Sequence, residues 1–182
     1  VALQCSSEAI VPMWSYMLIT SYLKNVATEI YFGGEKVVFQ NLFLQNIKSI
    51  DSTEFTDKKV IEIGPGVANL SRIIKSKFIS SKFVFIDLQS SLIYSILNLI
   101  KRFPNSMYIL PNEINDQNQI IDNEFDFVFL TNKQLNLVPS NYFDIGFNTM
   151  SFQEMHFDAI SEYFTFLRRV LKTENLFYCL NR

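Results

Sequence analysis

Glycine is scarce in this chain, five in 182 residues, yet two of the five fall in one short turn, Glu62-Ile63-Gly64-Pro65-Gly66-Val67-Ala68. The turn lies between an apolar run and a helical pattern. Gly64 and Gly66 would therefore let the backbone approach a ligand closely, with the free N–H groups of a helix start behind them. Asp87 closes the next apolar run, 23 positions after Gly64, where a carboxylate can accept hydrogen bonds from both hydroxyls of a ribose. Taken singly, Asp87 reads equally well as a helix-capping aspartate. The turn and the carboxylate at this spacing are more specific than either alone. A dinucleotide fingerprint wants glycine at the first, third and sixth positions, and the sixth here is Asn69.

Further along, Gln153 and Glu154 sit four and three residues before Phe157, the first member of an apolar stripe. They extend that stripe backwards with polar groups, and buried polar groups need partners, of which a ligand is one. Glutamate in a first helical turn is also favoured by the helix dipole alone. Both readings of Glu154 stay open. His156, the one histidine, titrates in the range that suits a general base, although the stripe turns it partly away from Gln153, as for a surface histidine. Asp144, Glu154 and Asp158 are the only acids near this region, and Asp144 starts its strand, so no metal site is expected.

These residues need a frame. Residues 13–30 read as a helix with Trp14, Met17, Leu18, Tyr22, Val26 and Ile30 on one broad face, and Gly33-Gly34 breaks it. A second helical pattern follows on Phe39, Phe43, Ile47 and Ile50, and then a polar loop from Asp51 to Asp57. From residue 58 short apolar runs alternate with amphipathic helices, the mark of βαβ units and a parallel sheet covered on both faces. The runs are 60–63, 83–87, 125–130, 143–148 and 175–180. Met107–Leu110 can form a further short strand, and Pro111–Glu124 reads as an irregular insertion. Helices are expected along Leu70, Ile73, Ile74 and Phe78, from an N-cap at Ser90 or Ser91 to Arg102, and from Phe152 to Leu171 along Phe157, Ile160, Phe164, Leu167 and Leu171. The domain expectation is a helical extension over 1–56 and an α/β core over 57–182.

Composition narrows the function classes. With 19% charged and 48% hydrophobic residues the chain is built to fold, and a net charge of −2 lacks the basic excess of a nucleic-acid binder. The apolar stretch from Trp14 to Leu23 is interrupted by Ser15, Thr20 and Ser21, too short to span a bilayer. Cys5 and Cys179 stand at opposite ends, with no framework spacing, so a reducing cytoplasm is the expectation and their pairing stays open. The chain opens on Val1 rather than Met, which reads as a cut or processed start.

Glu62-x-Gly64-x-Gly66 with Asp87 resembles the first motif of class I methyltransferases that use S-adenosylmethionine, and the resemblance runs over residues 59–182. More narrowly, Phe125–Leu130, Asn132–Leu135 and the stretch from Phe143 through Ser151-Phe152-Gln153-Glu154-Met155 are similar to a family assigned to sugar O-methylation. The resemblance implies a Rossmann-like three-layer α/β/α sandwich with a mostly parallel sheet, truncated after the fifth strand. It also implies that Glu62, Gly64, Pro65 and Gly66 hold the methionine part of the cofactor, and Asp87 with Leu88 the ribose. Asn132 and Gln134 would lie beside the adenine, Asn148 and Ser151 would line the floor below the transferred methyl, and Glu154 and His156 are the catalytic candidates. The commonest form of the motif has glycine where this chain has Ala68, tolerable if that residue is already helical. Aromatics of the N-terminal extension, such as Trp14 or Tyr22, would cap the acceptor pocket. Without its last hairpin the strand 175–180 would be an exposed apolar edge, open to a partner or a second copy. Another small-molecule acceptor, or a binding domain without turnover, remains an alternative to the sugar.

Overall fold

Six parallel strands form the sheet: β1 (Lys59–Ile63), β2 (Lys82–Asp87), β3 (Tyr108–Ile109), β4 (Phe127–Thr131), β5 (Phe143–Thr149) and β6 (Leu171–Leu180). Their spatial order is β3-β4-β2-β1-β5-β6, with helices α1 (Asn69–Lys77), α2 (Gln89–Arg102) and α3 (Phe157–Val170) in the crossovers. This computed structural model describes residues 2–3, 12–28, 30–34, 38, 42, 45 and 55–181. The chain divides into two compact units, Val1–Ile50 and Asp51–Arg182. The fold is the doubly wound α/β class expected from the alternation, with one more strand than the five counted there. The short run at 107–110 pairs with β4 as an edge strand, Tyr108 beside Phe127.

Side chains alternate across a strand, and the two faces of this sheet carry different chemistry. One face is aromatic. Phe83 and Phe85 of β2 interleave with Phe127 and Phe129 of β4, ring centroids 5.1 to 6.2 Å apart. The other is aliphatic, with Ile61, Ile63, Val84, Ile86, Val128 and Leu130 packed in one cluster with Tyr163, Phe166 and Leu167 of α3. Glu62 lies on the aromatic face, where it meets Ser71 of α1. At the amino ends of the strands the buried Lys75 donates to the carbonyls of Ile79 (2.6 Å) and Ser81 (2.7 Å) and to Asp126 (2.5 Å). Every donor of that ammonium finds a strong acceptor, which is what a buried charge requires.

Several boundaries differ from expectation for local reasons. Helix α2 starts at Gln89 with Leu88 as its N-cap, not at Ser90 or Ser91, because the amides of Ser91 and Leu92 turn back to the Leu88 carbonyl. The stretch 152–171 is not one helix. A 3₁₀ turn over Phe152–Glu154 ends at Met155, and α3 begins after the extended His156. The buried face of α3 is Tyr163, Phe166, Leu167 and Val170, while Phe157 is 77% and Phe164 41% exposed. Strand β6 starts at Leu171 but loses register at once: Leu171 faces Phe143, then Leu176 faces Ile145. The residues between bulge outward, with Lys172 reaching back to Asp144 (2.7 Å). The insertion 111–124 holds a 3₁₀ turn at Pro111–Glu113 and a single helical turn at Asn118–Ile121. Among the described residues β6 pairs only with β5, and its Leu176, Tyr178 and Leu180 are exposed.

In the first unit Ala2–Leu3 pairs in parallel with Tyr31–Phe32. The helix Met13–Leu23 ends seven residues short of Ile30, where Val26 and Ala27 both donate to the Leu23 carbonyl in a tightened last turn. It shows no one-sided face: none of its residues is buried, and Trp14 and Tyr22 are exposed. Of the second N-terminal pattern, Phe39, Phe43, Ile47 and Ile50 lie outside the described residues. Val38, Leu42 and Gln45 are helical. No described helix is long and apolar enough to cross a membrane. Cys179 is a free, exposed thiol, and Cys5 lies outside the described residues.

Candidate functional site

The carboxyl ends of β1, β2 and β5 meet at the Gly64-Pro65-Gly66 turn, beside the point where the chain reverses its direction of strand addition. Crevices in open α/β sheets form at such switch points. Three left-handed residues in five build the turn: Gly64 (φ 64°), Gly66 (φ 57°) and Ala68 (φ 54°). The Gly64 amide is anchored on the Ile86 carbonyl of β2 (2.8 Å). Ala68 is therefore not helical, as tolerance of alanine there would require. It is the N-cap of α1 in the left-handed region, a conformation that strains any residue with a Cβ by about 1–2 kcal/mol. Its methyl is fully buried, which offsets part of that strain.

Behind the turn, Ile63, Asn148, Ser151 and Asn181 form a polar knot. The Asn148 side-chain amide donates to the Ile63 carbonyl (3.1 Å) and to the Ser151 hydroxyl (2.5 Å), and that hydroxyl donates to the Ile63 carbonyl (3.2 Å). The Asn181 amide donates to the Asn148 Oδ1 (2.9 Å), and its own Oδ1 accepts the Gln153 amide (3.2 Å). This knot presses Ser151 onto Gly64, so that a Cβ at Gly64 would collide with the Ser151 side chain. A Cβ at Gly66 would meet nothing within 4 Å. The two glycines do different work. Gly64 admits the protein's own Ser151, while Gly66 leaves open space above the turn.

Two carboxylates lie near the turn, one buried and one half-buried. Glu62 is 1% exposed, accepts from the Ser71 hydroxyl, and has its pKa raised to about 7. Burial is the main cause, the Ser71 hydrogen bond opposes it, and the nearby Asp87 adds to it. Asp87 is half-buried at the end of β2. Its carboxylate accepts from the amides of Leu88 (2.7 Å) and Gly66. Burial raises its pKa, the two amides oppose that, and Glu154 adds a like charge. Two backbone donors leave lone pairs on the carboxylate free, since a carboxylate offers about four acceptor sites. Asp87 is thus an oriented acceptor facing the open space.

The remaining candidates fall in three groups. Asn148 is fully buried and Ser151 half-buried, both held in the knot. Pro65 is buried within the turn, and Leu88 is 55% exposed beside Asp87. Asn132, at the carboxyl end of β4, is exposed, but Gln134 is committed elsewhere. Its Oε1 accepts from the Thr131 amide (2.9 Å) and hydroxyl, and its amide donates to the Pro111 carbonyl (2.8 Å), locking the insertion. Beside an adenine it would have to surrender those bonds. Glu154 and Gln153 are exposed rather than buried on a helix stripe, because the 3₁₀ turn breaks the periodicity that placed them there. Glu154 still lies within electrostatic reach of Asp87. His156 is a surface residue 3.4 Å from Asp158, with its side chain 82% exposed. Among the described residues no group of three or more His, Cys, Asp or Glu side chains could hold a metal. Asp144 sits at the opposite end of β5, bonded to the Lys59 amide.

Ser71 and Asn181 enter the site unannounced. Ser71 could have been found, since it is a polar residue between Leu70 and Ile74 on the apolar side of α1. Asn181 follows the last strand and carries no pattern.

The contrast between the glycines is measurable. Gly66→Ala should lose about 1 kcal/mol from left-handed strain alone. Gly64→Ala should lose about 3 kcal/mol, because it also breaks hydrogen bonds of Ser151. Urea unfolding of the two variants checks this, and equal losses would contradict it. Glu62 generates a pH dependence. Its folded pKa lies above the ordinary 4.5, so it supports the fold below pH 4.5 and withdraws that support as pH rises toward about 7. Between those limits Glu62→Gln should gain stability relative to the wild type, on the order of 3 kcal/mol. Parallel stability–pH curves for the two proteins would contradict it.

Solved structures share this architecture. A protein of Methanococcus maripaludis assigned as an S-adenosyl-L-methionine-dependent methyltransferase matches with TM-score 0.55 at 17% identity, over 79% of this chain and 57% of that one. A protein of Nostoc punctiforme assigned as an O-methyltransferase matches with TM-score 0.51 at 9% identity, over 75% of this chain and 35% of that one. At such identities the likeness is one of fold, the Rossmann-like fold of methyltransferases. The chain spans between a third and three fifths of the length of these two structures. No curated protein matches it significantly. Residues 1–95, which include the Gly64–Gly66 turn and Asp87, match the family model described as Protein of unknown function (DUF2480). That is more than half of the 182 residues, and the chain belongs to this family.

Proposed function

We propose that this chain is an S-adenosylmethionine-dependent methyltransferase domain that methylates a hydroxyl of a sugar or glycoconjugate. The observation that carries the proposal is the Asp87 carboxylate, oriented by the Gly66 and Leu88 amides beside open space over a two-glycine turn. A ribose diol needs such an acceptor, and the amino-acid end of the cofactor needs a turn without side chains. The residues fit the group. Asp87 would accept from the ribose hydroxyls, and Gly64 and Gly66 would bring the backbone close to the methionine part. Glu62, whose proton is balanced near neutrality, would supply negative charge behind the ligand's ammonium. When bound, the cofactor supplies an electrophilic methyl group on a sulfonium sulfur.

The chain's own work is binding, orientation and charge. Aligning an acceptor oxygen with the methyl carbon supplies much of the rate in such a transfer, so a strong base is not required. Glu154, exposed and within reach of Asp87's field, is the candidate to take the acceptor's proton or pass it to water. His156 faces solvent with Asp158 and takes no part in this reading. The sugar rests on the resemblance of residues 143–155, and the O-methyltransferase assignment of the Nostoc punctiforme protein supports transfer to oxygen. We place the activity in the reducing cytoplasm, and regard the exposed edge of β6 as the surface through which copies would associate.

Calorimetric titration tests the reading. S-adenosylhomocysteine should bind with micromolar affinity and NAD should not, and Asp87→Ala should weaken that binding at least about tenfold, the equivalent of one charge-assisted hydrogen bond. Absence of binding by the wild type, or equal binding by the variant, would refute it. In the same preparation, labelled methyl from S-adenosylmethionine should reach an added monosaccharide, and transfer only to non-sugar acceptors would reassign the substrate.

A further inference from the structure

Tyr163 is the one residue of α3's buried face with a polar tip, and nothing in the preceding account uses it. The residue is 8% exposed. Its ring packs on Phe152, centroids 5.9 Å apart, immediately after the Ser151 knot. It belongs to the same buried cluster as Ile63 and Ile86, the residues that lead directly into the turn and into Asp87. Asp87 is close enough for its charge to act on the phenol, and burial together with Asp87 and Glu162 pushes the pKa up to about 12. The hydroxyl thus stays protonated and can only be a donor or a neutral acceptor, never a phenolate base. It has no hydrogen-bond partner among the described residues.

The ring is buried but the hydroxyl is not among the buried polar atoms that lack a partner, so it reaches the accessible surface, and a carboxylate is the best acceptor it could have. Tyr163 and Asp87 nevertheless make no hydrogen bond to each other. One has a donor to give and the other has free lone pairs, and the two lie within electrostatic reach of each other. A ligand hydroxyl answers both needs at once, because it donates through its hydrogen and accepts through its lone pairs.

We propose that Tyr163 is a ligand-binding residue of this site, donating its phenolic hydrogen to a ribose hydroxyl that in turn donates to Asp87. The proposal rests on the cofactor reading above and adds a second contact to its nucleoside half. It makes recognition of the diol two-sided. Asp87 alone would favour any hydrogen-bond donor, whereas the pair selects a group that is donor and acceptor together.

The test is a cycle of calorimetric titrations on the full chain. Wild type and Tyr163→Phe are each titrated with S-adenosylhomocysteine and with its analogue lacking both ribose hydroxyls. Tyr163→Phe keeps the ring and its packing on Phe152, and thermal melting verifies that the fold is unchanged. For S-adenosylhomocysteine the variant should bind about three- to tenfold more weakly, the range of one net hydrogen bond. For the dideoxy analogue the two proteins should bind alike, a pattern that a purely structural role for Tyr163 would not produce. Equal affinity of both proteins for S-adenosylhomocysteine, or equal weakening toward both ligands, would overturn the assignment and leave the cofactor reading standing. Failure of the wild type to bind S-adenosylhomocysteine would overturn both.

Discussion

The contact of Ser151 with Gly64 is the constraint on which the rest of the site depends. The Ser151 side chain occupies the volume a Cβ at position 64 would need, and it is held there by Asn148, the Ile63 carbonyl and, through Asn148, Asn181. One buried cluster of hydrogen bonds therefore joins the carboxyl ends of β1, β5 and β6 and fixes the path of the turn. From that path follow the left-handed conformations at Gly66 and Ala68, the start of α1, and the direction of the Gly66 amide that helps to orient Asp87. A partly satisfied network would be a weak foundation in a low-dielectric setting, whereas a satisfied one rigidifies what it touches.

The electrostatics follow from the same placement. Glu62 is buried against α1 with a single hydroxyl as partner, Asp87 is half-buried with two amides, and Glu154 is exposed. Three carboxylates at graded depth around one crevice repel each other, and burial pushes the deepest toward its neutral form. Such a crevice favours a ligand that brings positive charge and hydroxyl donors. Burial raises the carboxylates at this end of the sheet, whereas at the Lys75–Asp126 end the Lys75 hydrogen bond and charge outweigh burial and hold Asp126 low. There the charges pair with each other and every donor is spent.

The sheet was legible in the sequence because parallel strands covered on both faces leave apolar runs that helices interrupt. The runs at 60–63, 83–87 and 143–148 became β1, β2 and β5 within a residue or two. The two-glycine turn and Asp87 were legible for the same reason: scarcity of glycine makes its placement informative. What periodicity misread is the end of the chain. A 3,4-stepping stripe through Phe157 and Phe164 looks like a buried face, but the 3₁₀ turn at Phe152–Glu154 resets the phase. The true buried face then includes Tyr163, and Gln153 and Glu154 are exposed. The roles of Gln134, Asn148 and Asn181 are long-range hydrogen bonds, and no local pattern records which backbone carbonyl an amide will find. Ala68 is a further case, since left-handed geometry in a residue with a Cβ is dictated by the turn around it.

A crystal structure of the chain grown with S-adenosylhomocysteine tests the central claim most directly. The account predicts the amino-acid half of the ligand over Gly64–Gly66 and the ribose hydroxyls within hydrogen-bond distance of the Asp87 carboxylate, with the Ser151 knot unchanged. Ligand bound away from the carboxyl ends of β1 and β2, or a ribose that leaves Asp87 bonded only to its two amides, would contradict it.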